Sequence, residues 1–104
     1  MSKIYLSGAI SGLPIDAARR AFSAAEKVLA AQGWEVVNPM KNGVPVEALW
    51  EVHLAEDVLL LLACKAVYMM RGWRESRGAR LEHAIAKRVR MRIIYEEEMC
   101  GGEE

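Results

Sequence analysis

The residues best suited to chemistry stand close together in the segment from Trp73 to Glu82. Ser76 can cap the following helix by accepting hydrogen bonds from its first backbone N–H groups. Gly78 lacks a side chain where a ligand could approach those groups, and Glu82 follows it on the same helix face. A carboxylate one turn beyond a small-residue anion site suits a nucleophile that attacks a sugar. An ordinary helix start with a solvated Glu82 explains the same residues, and on local sequence alone this is the favoured interpretation.

Four other positions are candidates for the same site, each with an alternative interpretation. The Tyr5 hydroxyl could fix the rotamer of a carboxylate, or it could be satisfied by the backbone inside a core. Asp57 lies in an apolar stretch, where a carboxylate needs a ligand to act on or an arginine to pair with. The glycine loop Gly8-Ala9-Ile10-Ser11-Gly12 could hold a sugar or phosphate, or simply join a strand to a helix. Trp73 could cover a base or plug the sheet edge.

The elements that must position these residues alternate along the chain. Short apolar runs predict strands, and apolar residues at helical spacing predict helices. The first helix, for example, carries one apolar stripe that is made of Ala18, Phe22, Ala25, Val28 and Leu29. The predicted strands are 3–7, 34–37, 66–70 and 91–95, and the predicted helices are 15–32, 46–63 and 77–90.

This β-α-β-α-β-α-β order predicts a Rossmann-like three-layer α/β/α sandwich with right-handed crossovers. Its four-stranded parallel sheet has the expected order 2-1-3-4. Ligands of such sheets bind beyond the carboxyl ends of the strands, where the strand order reverses. The loop after Gly8 and the segment 73–82 both lie at that edge. Local sequence alone would treat these two segments as unrelated connections between strands and helices. Because the topology brings them together, it favours a functional site at this edge.

Composition limits the classes of function. The 104 residues predict one domain, 1–96, followed by an acidic flexible tail, 97–104. With 14 basic and 14 acidic residues the formal charge is zero, which argues against nucleic acid and membranes as partners. The 2 cysteines and 2 histidines show no metal-ligand spacing, so no metal or cofactor is expected. Because the first residues already fit a strand, no signal peptide is expected, and a cytoplasmic location is the prediction.

The hydrophobic fraction of 53% exceeds what one small core needs, so part of the apolar surface is expected to meet another subunit. Leu49, Trp50 and Leu54 lie on a helix with more apolar positions than one core face requires. A homodimer or higher homo-oligomer is therefore predicted.

Three groups of residues carry a resemblance to a known family. They are the run from Lys3 to Gly8, the run from Gly33 to Pro39, and Asp57 together with the spacing Gly72-Trp73-x-x-Ser76-x-Gly78-Ala79-x-x-Glu82. They resemble the domain of unknown function 4406, over residues 3 to about 96. That family is similar to the nucleoside 2-deoxyribosyltransferases and the deoxynucleoside 5′-monophosphate N-glycosidases.

The resemblance implies cleavage of an N-glycosidic bond, or deoxyribosyl transfer, through a covalent glutamyl-glycosyl intermediate. Glu82 would match the nucleophile and Tyr5 the residue that orients it. Asp57 would match the acid that protonates the departing base. Ser76 and Gly78 would match contacts to the 5′ substituent of the sugar. The small-molecule partner would be a nucleoside or nucleotide.

The chain also departs from those enzymes. Lys65 heads the third strand, where the enzyme relatives carry an aspartate, and Ala9 and Ser11 stand where the monophosphate glycosidases carry serine and arginine. A non-catalytic nucleotide- or nucleoside-binding module, such as a metabolite sensor, is therefore the alternative function.

Overall fold

Four short apolar segments pair side by side into a parallel sheet of order β2-β1-β3-β4, in a computed structural model that describes residues 2–10 and 12–97. Three α-helices connect the strands. The elements are β1 Lys3–Ser7, α1 Ile15–Ala31, β2 Glu35–Val37, a 3-10 helix Pro39–Lys41, α2 Trp50–Leu62, β3 Ala66–Met69, a 3-10 turn Trp73–Glu75, α3 Arg77–Arg88 and β4 Arg92–Tyr95. The predicted Rossmann-like α/β fold and the strand order 2-1-3-4 are confirmed.

Alternation along β1 sends its side chains to two separate layers. Ile4 and Leu6 pack with Phe22 and Leu29 of α1. Tyr5 faces the opposite layer, where Leu61 of α2 and the alanines of α3 pack. One helix therefore covers one face of the sheet, and two helices cover the other. This is the arrangement that right-handed crossovers give to the observed strand order.

Helix α1 is amphipathic and buries a narrow stripe. The buried residues are Ala18, Phe22, Ala25 and Leu29. Val28 was predicted in this stripe, but it is 50% exposed. It lies about 100° around the helix from Leu29, which turns it toward solvent.

Helix α2 begins at Trp50, four positions later than the predicted start at Val46. The chain first turns, with the amide of Ala48 donating to the carbonyl of Pro45 at 3.0 Å, and Leu49 is extended. Apolar spacing alone could not reveal this turn, because Val46 and Leu49 continue the helical spacing that leads into α2. None of the helices in the described part of the chain is long and apolar enough to cross a membrane.

Two connections at the carboxyl edge of the sheet bring the site together. After β1, a Cβ added at Gly8 would lie 3.0 Å from Cβ of Met70, so a larger residue there would require the Met70 side chain, just after β3, to shift. After β3, Gly72 adopts a positive φ of 85° and turns the chain into the 3-10 segment. Helix α3 consequently starts beside the ends of β1 and β3, where the strand order reverses.

Candidate functional site

Glu82 is a buried carboxylate held by two hydroxyl groups of β1. The Tyr5 hydroxyl donates to Oε2 at 2.9 Å, and the Ser7 hydroxyl donates to Oε1 at 2.6 Å. Tyr5 and Ser7 are two residues apart on a strand, so both reach the same face of the sheet. The two donors fix the carboxyl plane, and Glu82 is only 5% exposed. The predicted contact between Tyr5 and a carboxylate is present, and the solvated Glu82 of the alternative interpretation is not.

Burial decides the protonation of this site. Desolvation raises the pKa of Glu82 to about 7, although the hydrogen bonds from Ser7 and Tyr5 act in the opposite direction. The nearby charge of Asp57 raises it further. Burial and the charge of Glu82 also raise the pKa of Tyr5 far above its ordinary value, so its hydroxyl always keeps its proton. Near neutral pH, therefore, Tyr5 is a constant donor and Glu82 exchanges its proton.

Asp57 is the second buried acid, and its partner is an amide rather than an arginine. Nδ2 of Asn42 donates to Oδ1 of Asp57 at 2.9 Å, and the same nitrogen lies 3.3 Å from Nδ1 of His53. Burial raises the pKa of Asp57, whereas the bond from Asn42 and the charge of His53 lower it. Asp57 is 8% exposed and contributes to the field at Glu82. The two acids are thus electrostatic neighbours, held by different partners.

The start of α3 forms the third part of the site. Ser76 caps the helix, as predicted, because its Oγ accepts from the amide of Ala79 at 3.2 Å. A Cβ added at Gly78 would lie 3.9 Å from the Trp50 ring, which is ordinary contact. A small side chain would therefore fit at Gly78 against Trp50, and the glycine itself lines the cavity. The Arg77 guanidinium lies over the Trp50 ring, 4.3 Å from the ring centroid.

These groups surround one cavity of about 300 Å³, a size within the lower range of small-molecule sites, about 300–1,000 Å³. The predicted site residues that line it are Tyr5, Gly8, Asp57, Ser76, Gly78 and Glu82. The loop after the 3-10 helix Pro39–Lys41 closes one side with Asn42, Val44 and Val46. Six predicted residues, from β1 and the loop after it, from α2 and from the start of α3 with its capping serine, thus line one cavity.

Trp73 is not among the residues that line this cavity. It is buried, with its ring centroid 4.3 Å from that of His83 and 6.2 Å from that of Tyr95. His83, which has no role in the sequence interpretation, also makes a 2.8 Å hydrogen-bond contact with the Tyr95 hydroxyl. The structure therefore places Trp73 in an aromatic cluster beside β4, which corresponds to the predicted alternative of a plug at the sheet edge.

Ser11 and most of the predicted tail, 98–104, lie outside the described residues. Three polar residues of the site were not predicted: Ser7, Asn42 and His53. Ser7 could have been found from its spacing, because a serine two residues after Tyr5 shares its face of the strand. Asn42 could not, since its contact depends on the conformation of a loop. Among residues 2–10 and 12–97, no group of three or more His, Cys, Asp or Glu side chains could hold a metal ion.

Comparison with known proteins agrees with the sequence prediction on the family. No curated protein is significantly similar to the chain. The sequence profile of one family, described as Domain of unknown function (DUF4406), matches residues 2–95. This match spans the whole sheet and its three α-helices, together with every residue that lines the cavity. The chain therefore belongs to the DUF4406 family.

Proposed function

We propose that this protein cleaves the N-glycosidic bond of a nucleoside or nucleotide, or transfers its deoxyribosyl group, with Glu82 as the nucleophile. The observation that carries the proposal is the setting of Glu82. Its carboxylate is buried beside the cavity and is held by two neutral hydroxyl groups. In the described part of the chain it forms no salt bridge that would give it a purely structural role.

The first step forms one bond and breaks one. An oxygen of the ionised Glu82 attacks the anomeric carbon while the bond from that carbon to the base nitrogen breaks, and the electron pair leaves with the base. The departing base takes a proton from Asp57. Water, or a second base, then attacks the anomeric carbon of the glycosyl ester and gives its proton to the Asp57 carboxylate, while the bond from that carbon to the Glu82 oxygen breaks and restores the Glu82 carboxylate. Tyr5 and Ser7 keep the carboxyl plane in position through both steps.

The start of α3 suits the sugar end of such a substrate. Ser76 and the early amides of α3 can contact the hydroxyl or phosphate at the 5′ position. Gly78 leaves room for the sugar to reach Glu82, one helical turn further into the cavity. The resemblance to nucleoside 2-deoxyribosyltransferases and deoxynucleoside 5′-monophosphate N-glycosidases, which rests on these same residues, supports this orientation.

The alternative is a nucleoside- or nucleotide-binding module without turnover. One observation favours it: both oxygens of Glu82 already accept hydrogen bonds. A carboxylate held in this way can also anchor sugar hydroxyls. The departure at Lys65 from the enzyme pattern agrees with this alternative. Only a measurement of bond cleavage separates the two functions.

The test is the release of free base from common purine and pyrimidine nucleosides, deoxynucleosides and their monophosphates, followed by chromatography. We expect Glu82→Ala to lower the rate at least about 10⁴-fold, as loss of a covalent nucleophile does. Glu51→Ala, at an exposed carboxylate in the first turn of α2, is the matched control and should keep full activity.

A 2′-deoxy-2′-fluoro-arabinosyl nucleoside should trap the glycosyl ester, visible as a mass increase on wild type but not on Glu82→Ala. Addition of a second free base during turnover distinguishes transfer, which gives a new nucleoside, from hydrolysis. Equal release by wild type and Glu82→Ala, or no release across the panel, would reject the enzyme function. Binding of a panel member without release would establish the binding module.

A further inference from the structure

The loop residue Asn42 is held at both ends of its amide. Its Oδ1 accepts from the backbone N–H of Val44 at 2.9 Å. Because a backbone N–H can only donate, this bond identifies the oxygen of the amide and directs Nδ2 toward α2. There Nδ2 donates to Oδ1 of Asp57 at 2.9 Å and approaches Nδ1 of His53 at 3.3 Å. One side chain thus joins the loop, the acid and the histidine.

This arrangement distinguishes the two oxygens of Asp57. Oδ1 is occupied by an amide donor. Within residues 2–10 and 12–97, no side chain or backbone group donates a hydrogen bond to Oδ2. A proton on the carboxyl group therefore belongs on Oδ2. The same nitrogen can only donate to His53, so Nδ1 of that ring accepts, and a neutral ring carries its proton on Nε2.

A second asparagine four positions earlier has the same local geometry without the cavity. Oδ1 of Asn38 accepts from the amide of Met40 at 2.9 Å, and its Nδ2 donates to Glu26 of α1 at 3.0 Å. Neither Asn38 nor Glu26 lines the cavity. If these bonds served only to fasten the loop to a helix, the two asparagines would be equivalent. They differ because the carboxylate held by Asn42, that of Asp57, belongs to a residue that lines the cavity.

We propose that Asn42 is the positioning residue of Asp57, holding Oδ1 of the carboxyl group so that Oδ2 carries the proton for the leaving base. This inference rests on the proposed function. When the bond between the anomeric carbon and the base breaks, the proton moves from Oδ2 to the base nitrogen that receives the electron pair. Asp57 is left as a carboxylate whose Oδ1 still accepts from Asn42.

Several charged and titratable groups surround Asp57, and their effects on its titration must be distinguished from the effect of Asn42. His53 and Glu56 are on its own helix, Tyr5 is on β1 and Glu82 is on α3. The bond from Asn42 lowers the pKa of Asp57, so its loss should raise that pKa. The experiment therefore changes the asparagine and leaves all four groups in place.

The experiment compares Asn42→Ala and Asn42→Asp with the matched control Asn38→Ala. Asn42→Asp retains an oxygen for the Val44 amide, so it keeps the loop turn, but it removes the donor and places a second carboxylate beside Asp57. Carbon-13 NMR follows the titration of the Asp57 carboxyl group in each variant. We expect its midpoint to rise by about one pH unit in Asn42→Ala and by more in Asn42→Asp, with no change in Asn38→Ala.

On an active substrate, we expect Asn42→Ala to lower kcat about 10- to 100-fold with little change in KM, because misplaced catalytic groups act in this range. The alkaline limb of its pH profile should move with the titration of Asp57. An unchanged Asp57 titration in both Asn42 variants overturns the inference, and so does an equal loss of kcat in Asn42→Ala and Asn38→Ala. Absence of base release by wild type rejects the proposed function instead, while the titration still reads the contact with Asp57 directly.

Discussion

The two faces of the sheet are built from the same strands but have different contents. The face under α1 is apolar, with Ile4, Leu6 and Phe22 at its centre. The face under α2 and α3 buries two carboxylic acids among its apolar side chains, Glu82 and Asp57. A single strand, β1, supplies the hydrophobic residues of the first face and the hydroxyl donors of the second. The comparison shows that the α1 face stabilises the fold, whereas the opposite face carries groups that oppose it.

The strongest test of this contrast is truncation in the apolar face. We expect Phe22→Ala to lower the free energy of unfolding by about 3–5 kcal/mol, since it leaves a cavity in a fully buried cluster. The loss should be the same at pH 5 and pH 8, because the cluster around Phe22 contains no acid or histidine. Urea denaturation at both pH values is the measurement. A loss that changed markedly with pH would mean that the two faces are not independent.

On the face under α2 and α3, a substitution that removes the buried charge of Glu82 should raise the free energy of unfolding instead of lowering it. Glu82→Gln keeps the shape of the side chain and removes its charge. The folded protein binds the Glu82 proton more tightly than the unfolded chain, whose ordinary pKa is 4.5. The contribution of this group to stability is therefore complete below pH 4.5 and is lost as pH rises through about 7.

We expect Glu82→Gln to gain about 2–3 kcal/mol relative to wild type between pH 5 and pH 8. Urea denaturation across that range measures it, and Glu51→Gln on exposed α2 is the matched loss of a carboxylate. A constant difference between Glu82→Gln and wild type at all pH values would contradict the burial argument.

A smaller effect, on the pKa of Glu82, is expected when a hydroxyl donor on β1 is removed. Ser7→Ala removes the 2.6 Å bond to Oε1, which lowers the pKa of Glu82. We expect the titration midpoint of Glu82, read by carbon-13 NMR, to rise by about one pH unit. The acid limb of any activity profile should move with it. Ser23→Ala, on the exposed side of α1, is the control, and an equal titration in both variants would remove Ser7 from the site.

The smallest effect on the stability of the chain is expected from substitutions on the outer surfaces of the two helix layers. Helix α2 leaves an apolar row uncovered, with Val52 48%, Leu59 64% and Leu62 48% exposed. We predict that this row forms the interface of a homo-oligomer, so that Leu59→Glu gives a monomer by light scattering. Val28→Glu, at a 50% exposed position of α1, should keep the assembly. Both should change stability by less than about 0.5 kcal/mol per chain at a concentration where wild type is monomeric. A monomeric wild type at high concentration would contradict the prediction.

Much of the fold could be predicted because strands and helices are marked by short sequence patterns, such as apolar runs that end at a glycine. The strand at Lys3–Ser7 has the bounds that its apolar run and Gly8 indicate. The predicted start of α2 was wrong because the backbone turns from Pro45 to Ala48, although Val46 and Leu49 keep the apolar spacing of a helix. Oligomeric state and a cytoplasmic location stay predictions.

The candidate site likewise contains residues that could be predicted from the sequence and residues that could not. Glu82, Tyr5 and Asp57 were predictable because strand and helix periods bring them to the carboxyl edge of the sheet. Asn42 was not, because its contact with Asp57 depends on how a loop of irregular backbone folds. Local sequence could not choose between the two interpretations of Trp73, since a tryptophan after a strand suits either a cavity wall or a core. Residues on regular elements were therefore easier to assign than those whose position depends on a loop.

The two bonds to Glu82 join residues that are 75 and 77 positions apart in the chain. Contacts of such large sequence separation require a long loop of chain to close, which costs entropy and slows the search for the native state. No fragment that lacks either β1 or α3 can reproduce them. The titration of Glu82 near pH 7 is thus a reporter of global folding: during refolding, its return should coincide with the last cooperative phase and not with the formation of α3 alone.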